Sequence, residues 1–131
     1  MSHIIEAKTT IQNPNRELLG QAVSLVAQQH QGYILDNYHD YFERTHTVST
    51  GLAIYTPNLT RGMGVEIKES GEVTFVGDPW RVQNLFAQLQ QEIVQMYVAL
   101  ASMQALQSLG YSTQALDGGN REVVIQGVQN A

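Results

Sequence analysis

The sequence predicts an α+β fold, an antiparallel sheet with two helices packed on one face, in the order β-α-β-β-β-α-β-β. Two segments, 14–30 and 79–109, repeat apolar residues every three or four positions, as amphipathic helices do. Between and after them lie short segments of strand character. Strand segments that follow one another closely favour antiparallel pairing. With 131 residues, the chain is expected to form one domain over residues 1–131.

The first strand and the first helix are predicted from the N-terminal quarter of the chain. Residues 3–11 alternate between an apolar and a polar face, which is typical of a half-buried strand. Asn13 and Pro14 follow, and asparagine caps helices while proline suits the first helical position. A helix is therefore predicted over about 14–30, with Gly32 as its end.

The middle of the chain predicts further strands. Residues 47–56 end in a strand-like run. Residues 64–68 and 72–76 are joined by a short turn that contains Gly71, which is the clearest hairpin signal in the chain. The segment 33–47 is ambiguous, because its aromatic residues fit either a strand or a loop.

The second helix is predicted to be unusually long, over 79–109. Asp78 is expected to cap it, Pro79 to take its first position and Gly110 to end it. A straight helix of this length would measure about 46 Å, which is more than a small domain needs. We therefore expect a kink, a break near Ser102 or a protruding end.

The C-terminal residues predict one more hairpin. Its strands are expected at 111–116 and 121–128. Asp117-Gly118-Gly119-Asn120 lie between them, and such residues readily adopt the positive φ values of a tight turn.

Composition excludes several classes of function. Cysteine is absent, which excludes disulfides, thiolate metal sites and thiol nucleophiles. The net charge is −5 and the seven Lys and Arg residues are scattered along the sequence, so we expect no nucleic-acid binding. Glu6 and Lys8 interrupt the first apolar run, which argues against a signal peptide and for a cytoplasmic protein without membrane contact.

The segment 33–47 contains the candidate metal ligands. His39, Glu43 and His46 would share one face if the segment were helical, and imidazole and carboxylate groups together can hold Zn²⁺. In an extended chain the same side chains, with Asp36 and Asp40, would form a polar surface loop instead. No catalytic motif occurs, so no catalytic residue and no cofactor is predicted.

The long helix lacks charge over much of its length. No Asp, Glu, Lys or Arg occurs from Ile93 to Leu116. A helix that is apolar on most sides is usually covered on two sides, here by its own domain or by a partner. We expect a non-enzymatic interaction or assembly module that forms a homo-oligomer, most simply a homodimer, through 79–109. The alternative is a small-molecule or metal-binding accessory domain that uses 33–47.

Scattered positions along nearly the whole chain also carry a family resemblance. The chain opens with Met1-Ser2-His3 before an alternating strand and continues with Gly32-Tyr33 after the first helix. Glu72-Val73-Thr74-Phe75-Val76-Gly77-Asp78-Pro79-Trp80 precedes the long helix, and Gly110-Tyr111 follows it. This pattern resembles the conserved hypothetical plastid open-reading-frame 35 family, also described as domain of unknown function 1257. Residues 36–62 depart from the pattern.

The resemblance implies a cyanobacterial, plastid or related bacterial setting, with the plastid stroma as the alternative to a bacterial cytoplasm. It implies no activity, cofactor or catalytic residue.

Overall fold

The computed structural model describes residues 3–117 and 123–129 and has the predicted α+β architecture, with two helices on one face of an antiparallel sheet. The strands are β1 (Ile5–Gln12), β2 (Tyr33–Leu35), β3 (Asn37–His39), β4 (Thr45–Thr47), β5 (Ala53–Thr56), β6 (Leu59–Ile67), β7 (Glu72–Gly77), β8 (Tyr111–Asp117) and β9 (Val123–Gln129), and the helices are α1 (Arg16–Gln29) and α2 (Gln83–Ser108). The main sheet has the order β1-β7-β6-β5-β2, so β1 and β2 are its edges.

The main hydrophobic core lies between the helices and the inner face of this sheet. It is formed by alternate residues of the strands and by the inner stripe of each helix, and its larger members are Leu19, Val23, Val26, Ile54, Met63, Val65, Val73, Phe75, Phe86, Leu89 and Ile93. Burying each such side chain contributes roughly 1.5–3 kcal/mol, so this layer dominates the stability of the domain.

The outer face of the sheet is partly covered by a small hairpin. Strands β3 and β4 pair with each other outside the main sheet, and they place Tyr38 and Val48 over β5 and β6. The close approach depends on Gly64, since a Cβ there would meet Val48, Val76 and Tyr38 at 3.0–3.1 Å. The hairpin therefore forms a third layer that the predicted element order lacks.

Several predicted boundaries are wrong for local reasons. The ambiguous segment and its neighbours form three short strands, so the order has more strands than β-α-β-β-β-α-β-β. Asn13 does not cap α1, because it takes a positive φ of 48° and donates its backbone N–H to Gly71. Asn15 caps α1 instead, and its side-chain oxygen accepts from the N–H of Leu18 at 3.1 Å.

The start of α2 also differs from the prediction. The helix begins at Gln83, because Asp78 accepts from the N–H of Trp80 and Arg81 takes a positive φ of 65°, which helical residues do not adopt. Val82 takes the N-cap position without a side-chain hydrogen bond. The helix continues through Ser102 without a break, so that alternative is excluded.

The predicted C-terminal hairpin is confirmed as β8 and β9, which pair from Tyr111 and Gln129 to Asp117 and Val123. It forms a separate two-stranded sheet beside α2. Of the predicted turn Asp117-Gly118-Gly119-Asn120, the last three residues lie outside the described residues.

Candidate functional site

A tight loop at the tip of the β3–β4 hairpin is organised by one buried carboxylate. Asp40 Oδ1 accepts from the backbone N–H groups of Phe42 at 2.8 Å and Arg44 at 3.0 Å. Its Oδ2 accepts from Arg44 Nε at 2.7 Å and lies 3.0 Å from His46 Nε2. The side chain of Asp40 is only 4% exposed. These contacts fold the tip so that Tyr41 and Phe42 remain exposed.

The surroundings of Asp40 favour its ionised form. Burial alone raises the pKa of this carboxyl group, but the hydrogen bonds from His46, Arg44 and the Phe42 N–H together hold the pKa well below its ordinary value. Asp40 is therefore charged at neutral pH and acts as the fixed point of the tip loop.

A second buried carboxylate organises the connection from β7 to α2. Asp78 Oδ1 accepts from the N–H of Trp80 at 3.1 Å, and Asp78 Oδ2 lies 3.6 Å from Arg61 Nη1. Arg61 belongs to β6, and its side chain is 23% exposed. The turn therefore fixes Trp80 and Arg81 beside a strand of the main sheet.

The two regions meet in a cluster of arginine and aromatic side chains, which we call the arginine–aromatic cluster. It consists of Tyr41, Phe42, Arg44, Arg61, Trp80 and Arg81. The Tyr41 ring packs edge-on against Trp80 and against Phe42, each with ring centres 5.3 Å apart.

Each arginine of the cluster lies against an aromatic ring. The guanidinium carbon of Arg81 is 4.3 Å from the centre of Trp80, and that of Arg61 is 5.0 Å from Tyr41 and 5.8 Å from Trp80. Arg44 lies 5.2 Å from Phe42. Guanidinium groups at these distances are attracted to the ring faces and lose side-chain freedom, so the cluster is preorganised.

The cluster is rich in cations, but the carboxylates of Asp40, Asp78 and Glu43 offset much of their charge. It gathers three of the seven Lys and Arg residues of a chain with net charge −5. Asp40 and Asp78 pair with Arg44 and Arg61, but no carboxylate among the described residues pairs with Arg81. Arg81 is exposed, so its charge is available to a ligand.

A small cavity lies at the edge of the cluster, where α2 begins. Its volume is about 200 Å³, which suits one side chain or one acidic group rather than a whole cofactor. The lining residues are Asn58, Leu59, Thr60, Arg61, Asp78, Trp80, Arg81 and Val82. Its polar lining combines the cations Arg61 and Arg81 with Asn58, Thr60 and the carboxylate of Asp78, which Arg61 pairs with.

The structure does not bring the predicted metal ligands together. His46 stacks on Tyr38 and contacts Asp40, whereas His39 lies next to Thr45, with 3.3 Å between His39 Nδ1 and the Thr45 hydroxyl. Glu43 is exposed in the tip loop. In the part of the chain that the structure describes, no three His, Asp or Glu residues could hold a metal ion.

The charge-free part of α2 is covered from more than one side by its own chain. Ile93 and Ala99 are buried, and β8 and β9 lie beside the helix. Two large apolar side chains at this end remain exposed, Val98 at 52% and Leu109 at 71%. Part of the apolar surface of this helix is therefore buried within one chain, and part remains exposed.

Sequence reasoning missed the arginine–aromatic cluster because its members come from three separate elements. The cations at 44, 61 and 81 are far apart in the sequence and give no local charge pattern. The sequence shows the aromatic residues Tyr41, Phe42 and Trp80, but it does not show that all three lie in loops, the first two exposed and Trp80 half-buried.

No protein-family model, curated protein or solved structure matches the chain. Among the described residues, neither helix is long and apolar enough to cross a membrane.

Proposed function

We propose that this protein is a non-enzymatic interaction module that binds an acidic protein segment through the arginine–aromatic cluster. The observation that carries the proposal is the convergence of Arg44, Arg61 and Arg81 on three aromatic rings at the protein surface. Arginine, tyrosine and tryptophan are the residues most enriched where binding energy concentrates in protein interfaces.

The chemistry of the cluster favours carboxylates on the partner. Arg81 has no carboxylate partner among the described residues, and a guanidinium group can donate two parallel hydrogen bonds to one carboxylate. The rings of Tyr41 and Phe42 pack against each other, are 44% and 70% exposed, and can bury apolar parts of the same segment. A peptide that alternates acidic and apolar residues would satisfy both kinds of contact.

Fluorescence provides a direct test, because Trp80 is the single tryptophan of the chain. We expect a glutamate-rich peptide with interspersed leucines to change the Trp80 emission on binding. We expect Arg81→Gln to weaken binding about tenfold, the effect of about 1.4 kcal/mol, with weaker binding at higher salt. Arg81→Lys keeps the charge but loses the bidentate geometry, so it should recover only part of the affinity.

The control removes the same charge elsewhere. Arg16 is exposed at the start of α1 and belongs to no part of the cluster. Arg16→Gln should leave peptide affinity nearly unchanged. An equal loss of peptide affinity in both variants would mean that only the net charge of the protein matters. The absence of any peptide binding would contradict the proposal.

A second candidate is assembly through α2, as the charge-free sequence predicts. It is favoured by the exposure of Val98 in α2 and of Leu109 directly after it, in a stretch of sequence, 93–116, that contains no Asp, Glu, Lys or Arg. Val98→Glu should then increase the monomer fraction in light scattering without lowering stability. An unchanged mass distribution would remove this candidate.

Membership of the plastid open-reading-frame 35 family is proposed on the resemblance alone, and with it a cytoplasmic or stromal location. Fractionation of cells that express the tagged full-length gene product would test the location.

A further inference from the structure

We infer that the β2 edge of the sheet pairs with β2 of a second copy of this chain, so that the two main sheets become one. The two edges of the main sheet, β1 and β2, differ in their protection against a further strand. Strand β1 carries Glu6 and Lys8, Glu6 pairs with Lys68 at 2.7 Å, and the register with β7 shifts between Lys8 and Gln12. Charges and bulges of this kind prevent a further strand from pairing.

Strand β2 lacks such charges and bulges, although its three residues make it a short edge. Tyr33, Ile34 and Leu35 contain no charge and no proline, and they pair with β5 in regular register. The outer side of β2 therefore offers unpaired backbone N–H and C=O groups in an apolar setting. Both Tyr33, 57% exposed, and Leu35, 41% exposed, leave apolar surface on this edge.

The part of α1 beside β2 also carries no charge, whereas the exposed Asp36 directly follows the strand. No Asp, Glu, Lys or Arg occurs between Glu17 and Asp36, a stretch that includes most of α1 and all of β2. The exposed side of α1 here presents glutamines and Leu25 rather than the Lys and Glu of an ordinary surface helix. Such a surface has no charges with which to select a charged partner.

A groove and a protruding side chain lie together on this surface. The groove, of about 610 Å³, is lined by Gly20, Gln21, Ser24, Leu25, Ile34 and Leu52. Gly20 leaves open space, and Leu25 at its rim is 38% exposed. In a two-fold arrangement each copy can place its Leu25 into the groove of the other, which makes the contact self-complementary.

The side-chain pattern of β2 fits the same two-fold axis. Ile34 packs against the helix side of the sheet, while Tyr33 stacks on Tyr55 of the outer layer, with ring centres 5.3 Å apart. Antiparallel pairing centred on Ile34 places Ile34 beside its counterpart and Tyr33 beside the Leu35 of the second copy. Apolar groups then meet on both faces, and this match favours a second copy over a partner of different sequence.

The test measures the mass of the full chain by light scattering from low-micromolar to near-millimolar concentration. Wild type should approach twice 14.6 kDa as the concentration rises. Leu35→Lys and Leu25→Glu place charges on the edge and in the groove, and each should shift the dissociation constant at least tenfold towards monomer. Val98→Glu, a matched charge on exposed α2, should leave a dimer formed through β2 intact, and this outcome distinguishes the β2 contact from assembly through α2.

A wild type that stays monomeric throughout, or a dimer that Val98→Glu alone dissociates, would overturn the inference. If an edge variant fails to fold, hydrogen exchange of the wild-type protein tests the β2 contact instead. The amides of residues 33–35 in wild type should become more protected as concentration rises, and unchanged protection contradicts the β2 contact.

Discussion

Asp40 shows how one residue can fix the geometry of a surface loop. Its two oxygens hold the tip loop that carries Tyr41 and Phe42, through contacts of 2.7–3.0 Å to Arg44 and His46 and to two backbone N–H groups. The loop contains Glu43 at a positive φ of 62°. Residues other than Gly and Asn adopt this backbone conformation only when surrounding contacts hold it. Asp40 supplies those contacts.

Asp40 also predicts a pH dependence. Since folding lowers its pKa, the carboxylate stabilises the folded chain above the ordinary pKa of about 3.9, and the contribution is lost as pH falls below that value towards the folded pKa. Asp40→Asn should therefore lower the melting temperature at neutral pH, and the difference from wild type should shrink below about pH 4. Thermal unfolding at a series of pH values measures it.

The nearby Asp36→Asn removes an exposed carboxylate and serves as the control, with a much smaller difference expected. A difference between wild type and Asp40→Asn that stays constant down to the most acidic pH would contradict the role given to the carboxylate.

Gly62 allows a test of how closely the Tyr55 ring packs on the outer face of the main sheet. Its φ is +84°, and a Cβ there would lie 2.6 Å from Tyr55 Cζ. Gly62→Ala should lower the free energy of unfolding by about 2–4 kcal/mol, since a backbone cost of about 1–2 kcal/mol adds to steric overlap. Gly51 also has a positive φ, of +70°, but a Cβ at this position would meet no atom within 4 Å. Gly51→Ala should show the backbone cost alone, and equal losses in urea unfolding would exclude the overlap with Tyr55.

At the scale of elements, α1 depends on Asn15 as its N-cap. The Asn15 side chain accepts from Leu18 N–H, and its own backbone N–H donates to the Tyr97 hydroxyl of α2 at 3.0 Å. Asn15→Ala removes only the first contact and should cost about 1 kcal/mol, while Asn15→Ser should be nearly neutral. Denaturant unfolding compares the two variants, and equal stability would mean that the cap contributes nothing.

The elements predicted correctly from sequence are those whose signal is local. The alternation of 64–68 and 72–76 around Gly71 predicts the β6–β7 hairpin, and the helical spacing of 14–30 predicts α1. The predicted start of α2 is too early because Asp78-Pro79 has the composition of a cap. Its carboxylate instead serves the Trp80 turn and Arg61, and contacts between distant residues are not visible in a local pattern.

The candidate site is less predictable than the fold for the same reason. The sequence leaves the segment 33–47 ambiguous, and the helical spacing that would bring its histidines together does not apply, because the segment forms strands. In the hairpin, Tyr38 pairs with His46 and His39 with Thr45, so the alternation of a strand separates the two imidazoles. The partners of this loop, Arg61 and Trp80, belong to other elements.

At the scale of the whole molecule, a buried contact joins the two helices. His30 Nε2 lies 2.9 Å and 3.2 Å from the two oxygens of Glu92, and both side chains are at most 10% exposed. A double-mutant cycle with His30→Ala and Glu92→Ala should give a coupling energy of roughly 1–3 kcal/mol in urea unfolding. The exposed pair of Lys68 and Glu6 should couple much more weakly, and a zero value for His30 and Glu92 would contradict their role in joining the helices.

The two proposed surfaces predict how the molecule behaves as a whole. The arginine–aromatic cluster and the β2 edge share no residue. Mutations in the two surfaces should therefore change the free energies of peptide binding and of dimerisation independently. Trp80→Ala should weaken binding of the acidic peptide by about tenfold or more and leave the dimer intact. Leu35→Lys should produce a monomer with unchanged peptide affinity, and the double variant should show both losses at their separate sizes. If the monomeric variant instead bound the peptide much more weakly, the cluster would be complete only in the dimer.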